Sequence, residues 1–375
     1  MSAAQPGLEA ARQQAQLEFA GSGAELRLGT LAGLPWTAHQ LQTLEAGHPA
    51  VRQRLDGGLT AQVFELLDGG RRWTLKRARP RALVHNVDGQ TSFLNEVQRR
   101  IELAALKASA ADPARWAALV DTQYASYREG VILSPWIEGE HVQHWDARRL
   151  HQLLHTACAL WTEGLFEWDW SNGNILDDGR QLRVFDFGYM YRFDPLRHFN
   201  SAGHGTDVPL FHPAERFETR NHSGYLLQME LRQHSQAALA AFRLEKQAAL
   251  PAYQRMRSEI ARRGASATVL GWLDGIINRW REGLAQGAEA LYFAEQWRSH
   301  VLDLDDDLRG RSCTPLTLAR ADWLLDALGH HFDALQHGQA LFWGDEHKTR
   351  AALLAQYASR RREAEHYQID RKTET

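Results

Sequence analysis

A chain of 375 residues, 44% hydrophobic and 24% charged, carries enough apolar material for more than one lobe and excludes wholesale disorder. Its net charge of −3 excludes a chain-wide electrostatic footprint for nucleic acid, so no nucleic-acid partner is expected despite the local run KRARPR at 76–81. Two cysteines, Cys158 and Cys313, are too few for a disulfide framework and fit a reducing compartment, with one bridge at most.

The opening residues, MSAAQPGLEAARQQAQLEF, lack the basic start and apolar centre of a signal peptide. With no apolar run long enough to span a bilayer, a cytoplasmic protein is expected. Residues 1–50 read as an N-terminal extension: an Ala/Gln-rich helix, a glycine-containing turn region and a short second helix, without identifiable chemistry. From Val51 the pattern becomes strand, glycine turn, strand, tight turn, strand across VRQRLDGGLTAQVFELLDGGRRWTLKRAR. Asp68-Gly69-Gly70 is the hairpin signal, because glycine tolerates positive φ. SFLNEVQRRIELAALKA predicts a helix with Phe93, Val97, Ile101 and Ala104 on one face and Ser92 as its cap. RWAALVDTQYASYREGVILSPWIEG returns to strands and closes a region of residues 51–138. Residues 139–375 are mostly helical, interrupted by WDWSNGNILDDGRQLRVFDFG (168–188), which reads as two strands and a turn. Past Phe193 an irregular segment runs to Asn221. TPLTLARADWLLDALGHHFDAL predicts a helix capped by Thr314, with Pro315 at its first position. Leu318, Ala321, Leu325, Leu328, Phe332 and Leu335 form its apolar stripe. The polar tail RRREAEHYQIDRKTET is expected to fray.

The fold class expected is α+β: a small antiparallel-sheet lobe with one key helix, then a larger helical lobe, with a ligand in the cleft between them. Most of the thirteen tryptophans are expected in the core or in lobe packing. Asp169 and Asp186 lie beside much apolar sequence, and a buried carboxylate is costly unless paired. Phosphoryl transfer from a nucleotide needs N–H donors for the phosphates, a fixed cation, usually Mg2+, and an oriented acceptor. Gly57 and Gly58 let the backbone approach phosphate oxygens, though they also suit a plain hairpin. No Gly-Lys-Ser/Thr follows, so this is not a Walker A loop. Lys76 ends the apolar strand WTLK. An ammonium turned inward there needs an anion, and Glu96 on the following helix is the candidate; otherwise both are surface charges. Asp169 and Asn174 fit D-x-x-x-x-N, and Asp186 leads from LRVF into Phe187-Gly188. Mg2+ takes hard oxygen ligands and retains water, so Asp186 and Asn174 are assigned to metal and Asp169 to the acceptor hydroxyl. The plain alternative is a pair of Asx turns that close loops.

Together these residues resemble the protein-kinase-like superfamily, which includes eukaryotic-type protein kinases, aminoglycoside and choline phosphotransferases, and bacterial lipopolysaccharide-core sugar kinases. WTLK looks like the family's lysine strand, FLNEV like its glutamate helix, WDWSNGNIL like its catalytic loop and FDFG like its metal-binding motif. ILSPWIEG resembles the hinge that receives adenine. The resemblance covers residues 51–188. It implies an ATP- and Mg2+-dependent kinase that transfers the γ-phosphoryl group to a hydroxyl. Asp169, Lys76 and Glu96 would be catalytic. Gly57, Gly58, Val63, Lys76, Ser134, Trp136 and Ile137 would surround the nucleotide, and Asn174 and Asp186 would hold metal. Ala61 stands where a third glycine is usual, Glu167 where histidine is common, and Ser171 where Ser/Thr protein kinases carry lysine. WDWSNGN is nearer to the small-molecule kinases, so a sugar or other small molecule is the expected acceptor. A protein Ser/Thr or a lipid headgroup are alternatives. Others are a catalytically weak nucleotide-binding regulator of the pseudokinase kind, and transfer of AMP. GTDVPLFHPAERF distantly echoes the end of a protein-kinase activation segment, out of register, with Glu215 near the glutamate position.

Other clusters are assigned to structure. His151 and His155 are one helical turn apart, but no third zinc ligand is evident. His330-His331 reads as a helix terminus. LDLDDDL (302–308) lacks the EF-hand glycine and glutamate and reads as a solvated acidic face. Arg360 to Arg362 sit in a mixed-charge helix.

Overall fold

The computed structural model describes residues 7–55, 60–84, 86–203, 211–232 and 235–369. The architecture is α+β, an N-terminal antiparallel sheet region followed by a largely helical C-terminal part. Two compact units divide the described residues. One takes those within 1–144, 164–193 and 201–203, and the other takes the rest.

In the first unit, six antiparallel strands run in the order β1-β5-β6-β4-β3-β2. They are β1 (Arg27–Gly29), β2 (Val51–Leu55), β3 (Ala61–Asp68), β4 (Arg71–Ala78), β5 (Tyr124–Ser126) and β6 (Val131–Pro135). The predicted β3–β4 hairpin forms through Gly69 and Gly70, whose φ values of 51° and 88° suit the two-residue turn between Asp68 and Arg71. Side chains alternate, so the sheet buries two faces. Phe64, Leu66, Trp73, Leu75, Val131 and Leu133 pack with Trp36, Leu41 and Leu44, on and beside α2 (Ala38–Thr43). Ala61, Ala125 and Ile132 pack with Phe93 and Val97 of α3 (Val87–Ser109). Residues 27–44 thus add β1 to the edge of the sheet and cover one of its faces, because the other five strands alone would leave that apolar face bare. α1 (Leu8–Gly21) lies against α3.

α3 begins earlier than predicted. Asn86 caps it by accepting the Gly89 N–H at 2.7 Å, and Ser92 is a buried interior residue. The apolar stripe marks only where the helix meets the sheet, which is a turn and a half past its start. Short strands complete the unit: β7 (Glu140–His141), β8 (Leu165–Glu167), β9 (Ile175–Asp177), β10 (Leu182–Val184) and β11 (Met190–Arg192), in sheets β10-β9-β7 and β11-β8.

The second unit contains α4 (Ala147–Thr162), α5 (Pro213–Phe217), α6 (Ser223–Arg232), α7 (Ser235–Arg262), α8 (Ala267–Ala285), α9 (Glu289–Gly310), α10 (Pro315–His337) and α11 (Arg350–His366). Trp297 and Leu304 of α9, Leu324 and Leu328 of α10, and Leu353 and Tyr357 of α11 share one core. The irregular segment ends before Asn221, because His212 caps α5 and Pro213 occupies its first position. A π-helical turn, Glu218–His222, joins α5 to α6. Glu215 is buried and accepts the Thr219 hydroxyl at 2.5 Å. Thr314 and Pro315 start α10 as predicted, but His330-His331 is a kink rather than its end, with φ −130° at His331. The tail is helical as far as His366, because it continues α11, whose Leu353, Tyr357 and Ala364 reach the core. Cys158 and Cys313 are buried free thiols. Among the described residues no helix is long and apolar enough to cross a membrane.

Candidate functional site

Strand alternation decides which side chain of β4 faces α3. Trp73 and Leu75 point to the α2 side, so Lys76 points to the other, opposite Val63 on β3 and Ile132 on β6. There the residue is 7% exposed and its ammonium meets two carboxylates. Nζ lies 2.6 Å from Oε2 of Glu96 and 2.9 Å from Oδ2 of Asp186. Burial alone would lower the Lys76 pKa; Asp186 and Glu96 outweigh it and raise it.

Glu96 shares its second oxygen with Arg100, one helical turn on, which donates at 3.0 Å and 2.8 Å. Arg100 also donates to Thr122 Oγ1 at 3.0 Å and Ser134 Oγ at 3.1 Å, and its guanidinium lies 5.4 Å from the Phe187 ring centroid. Two cations and two carboxylates therefore neutralise one another where unpaired charge would be strongly unfavourable.

Asp186 follows β10 with φ 71°, a left-handed backbone for a residue with a Cβ. That conformation costs on the order of 1–3 kcal/mol and collects at sites where geometry matters. Its Oδ1 accepts the Gly188 N–H at 3.3 Å, and 35% of its side chain remains exposed. Burial would raise its pKa, but Lys76 overrides this and holds the carboxyl below its ordinary value.

Asp169 and Asn174 lie together. The Asn174 Nδ2 donates to the main-chain oxygen and to Oδ2 of Asp169, both at 3.1 Å. A 3₁₀ turn, Asn172–Asn174, makes the loop compact, and His141 on β7 lies with Nδ1 3.0 Å from the Asn172 carbonyl. The β9–β10 hairpin pairs Ile175 with Val184, and the Phe185 N–H donates to the Asn174 carbonyl at 3.2 Å. Asn174 and Asp186 thus emerge at the same end of one hairpin. Behind them Glu167 is 4% exposed and accepts the Asp169 N–H at 2.8 Å. Burial first, then Asp169 and Asp186, push its pKa well above the carboxylate range. The two carboxyls, Glu167 and Asp186, are thus driven in opposite directions, one by burial and the other by Lys76.

Lys76, Glu96 and Asp186 are in direct contact, Asp169 joins Asn174, and Val63 faces the Lys76 side. Gly57 and Gly58 lie outside the described residues. In the hinge stretch Ser134 is buried, with its hydroxyl taken by Arg100. The Trp136 N–H is spent on the Arg72 carbonyl at 3.0 Å, and its ring lies under the Arg72 guanidinium. Pro135 has no N–H. Ile137 follows directly after this stretch. Sequence reasoning passed over Arg100, Asn95, His141 and the burial of Glu167 behind Asp169. Only Arg100 carried a signal, its i+4 spacing from Glu96. Among the described residues no group of three or more His, Cys, Asp or Glu side chains is arranged to hold a metal ion.

No protein-family model matches the chain, and no curated protein matches it.

Proposed function

We propose that the chain is an ATP- and Mg2+-dependent phosphotransferase of the protein-kinase-like superfamily, acting on a hydroxyl of a sugar or other small molecule. The supporting observation is the buried Lys76 ammonium held between Glu96 and Asp186, groups from a strand, a helix and a post-strand loop. The donor set suits the metal. Asp186 keeps a partly exposed carboxylate. Asn174 spends its N–H groups on Asp169, which leaves its amide oxygen. A single carboxylate and a single amide oxygen suit Mg2+, which fills its remaining positions with phosphate oxygens and water. When bound, the ion neutralises charge on the β- and γ-phosphates.

Lys76 then supports the donor phosphates while Glu96 keeps it in place. Ile137 receives the adenine, with Val63 on the Lys76 face of the sheet. Asp169 orients the acceptor hydroxyl and takes its proton as the acceptor O–Pγ bond forms and the bridging Pγ–O bond of ATP breaks. Ser171 in place of lysine favours a small acceptor over a protein serine or threonine.

A second reading, a nucleotide-binding regulator, draws on the direct Lys76–Asp186 contact, which must open before phosphate and metal enter. Incubation with γ-labelled ATP and a cell lysate, then separation into protein, glycolipid and metabolite fractions, tests both. Label in a glycolipid or metabolite is expected. Asp169→Ala is expected to lose at least about 100-fold in turnover with ATP affinity nearly unchanged. Label in protein would redirect the acceptor assignment. A metal-dependent thermal shift with ATP but no transfer would favour the regulator. Full activity of Asp169→Ala would end the reading.

A further inference from the structure

We infer that Gln16 of α1 and Asn95 of α3 are positioning residues for Asp186, linked in a hydrogen-bond relay that ends on the backbone just after it. The functional half of this inference rests on the phosphotransferase reading. Nothing in the motif pattern points to either amide.

The relay has one possible sense. Arg12, which can only donate, gives a hydrogen bond to Gln16 Oε1 at 3.0 Å. The Thr91 hydroxyl lies 3.2 Å from the same oxygen but gives its single proton to the Val87 carbonyl at 2.9 Å, so Arg12 alone sets this end. Gln16 must therefore present Nε2 at its other end, and it donates to Asn95 Oδ1 at 3.1 Å. Asn95 in turn must present Nδ2 to the next segment. There it meets three main-chain carbonyls, those of Phe187 at 3.3 Å, Gly188 at 3.0 Å and Met190 at 2.8 Å. Carbonyls can only accept, so donors at one end and acceptors at the other determine both amide orientations.

Burial makes the relay consequential. Gln16 is 5% exposed and Asn95 is 1% exposed, so neither has water as an easy substitute. Three carbonyls from the four residues Phe187–Met190 converge on one amide nitrogen, and among the described residues only the Phe187 oxygen also receives a backbone N–H, from Met190 at 3.2 Å, so losing the Asn95 donor is unfavourable. The same segment holds Asp186 in its left-handed backbone, and Gly188 passes close to α3, where a Cβ would stand 3.4 Å from Ser92 Cβ. α1 is fastened independently of this chain: Arg12 also pairs with Asp88 at 2.8 Å and lies 3.6 Å over the Tyr191 ring. A helix in the N-terminal extension thereby grips both α3, which carries Glu96, and the segment that carries Asp186.

Two full-length variants test this. Gln16→Leu removes the relay's centre with little change of volume. Asn95→Asp keeps the shape but turns the donor into an acceptor facing three carbonyls. Hydrogen exchange of the nucleotide-free protein is expected to speed up about tenfold across residues 187–191 in both, with the β3–β4 hairpin still protected. Unchanged exchange there in the well-folded Gln16→Leu protein would overturn the relay. ATP affinity measured with Mg2+ and again with a chelator reads the functional half. Each variant should lose about tenfold of the affinity gained on adding Mg2+, with chelator-state affinity within about twofold of the parent. Equal losses in both conditions would reduce the two amides to general structural supports and overturn their positioning role. A parent protein whose ATP affinity does not respond to Mg2+ would overturn the phosphotransferase reading instead, and the exchange result would still decide the relay.

Discussion

A lysine buried at 7% exposure is tolerable only through its partners, and Lys76 has two. Removing one of them tests how the charges are shared. Glu96→Ala leaves Lys76 with Asp186 alone and leaves Arg100 buried without a carboxylate. Breaking a buried pair this way costs about 3–5 kcal/mol, which urea unfolding would report as a lower midpoint with an unchanged slope. Lys76→Met tests the other contact through pH. The Asp186 pKa is lowered in the folded protein, so its contribution to stability is present above the ordinary aspartate value and is lost as pH falls through the folded value. Without Lys76 that contribution shrinks. The stability gap between parent and Lys76→Met is therefore expected to narrow as pH drops below about 4. A gap constant from pH 7 to pH 3 would show that Lys76 does not hold Asp186 in its charged form.

Helices illustrate what a linear pattern conveys and what it hides. Thr314 and Pro315 announce α10 because caps act within one turn. The β3–β4 hairpin was legible for the same reason, since its turn chemistry is local. LDLDDDL misled because its partners lie far away in sequence. On α9, Asp303 meets Arg220 at 2.7 Å and Arg320 at 2.9 Å, Asp305 meets Arg360 at 2.7 Å, and Asp306 meets Arg216 at 3.2 Å. These carboxylates form a paired face rather than a solvated one. Asp307 fares differently: burial first, then Asp303, push its pKa up from 3.8 to about 6. A raised carboxyl favours folding most below its unfolded value, and that advantage disappears as pH rises through the folded value. Asp307→Asn cannot ionise and escapes the loss. Its melting temperature relative to the parent should climb between about pH 4 and pH 6 and level off above. A difference that is flat across this range would contradict the assignment.

Across the whole molecule, legibility followed the range of the interaction. Lys76, Glu96, Asp169, Asn174 and Asp186 stood out because strand ends, helix faces and loop spacings are short-range signals. The α2 cover of the sheet and the Gln16–Asn95 relay did not, because an amide or a tryptophan gains its role only when distant backbone arrives beside it. The least legible feature lies in the second unit. Lys246 on α7 is fully buried and contacts Glu218, Glu295 and, at 3.1 Å, Glu245, while Arg298 reaches Glu218 at 3.1 Å. In sequence these are ordinary helix charges; in the fold they join the π-helical turn, α7 and α9 through one ammonium. Burial pushes Glu245 up to about 7 even with Lys246 beside it, while Lys246 and Arg298 overcome burial to hold Glu295 near 2. Lys246→Met therefore raises the folded pKa of Glu218, Glu245 and Glu295, lifting Glu295 from its lowered value and the other two further, so the variant takes up protons on folding over a wider pH range. A raised carboxyl loses its stabilising influence as pH rises, so the variant should suffer most in alkaline solution. At pH 8 the loss is expected at about 3–5 kcal/mol, and at pH 5, where the carboxyls can protonate, at clearly less. Urea midpoints of parent and variant at the two pH values measure this directly. A loss equal at both, or larger at pH 5, would mean that Lys246 acts by packing and that its charge contributes little to holding the helices together.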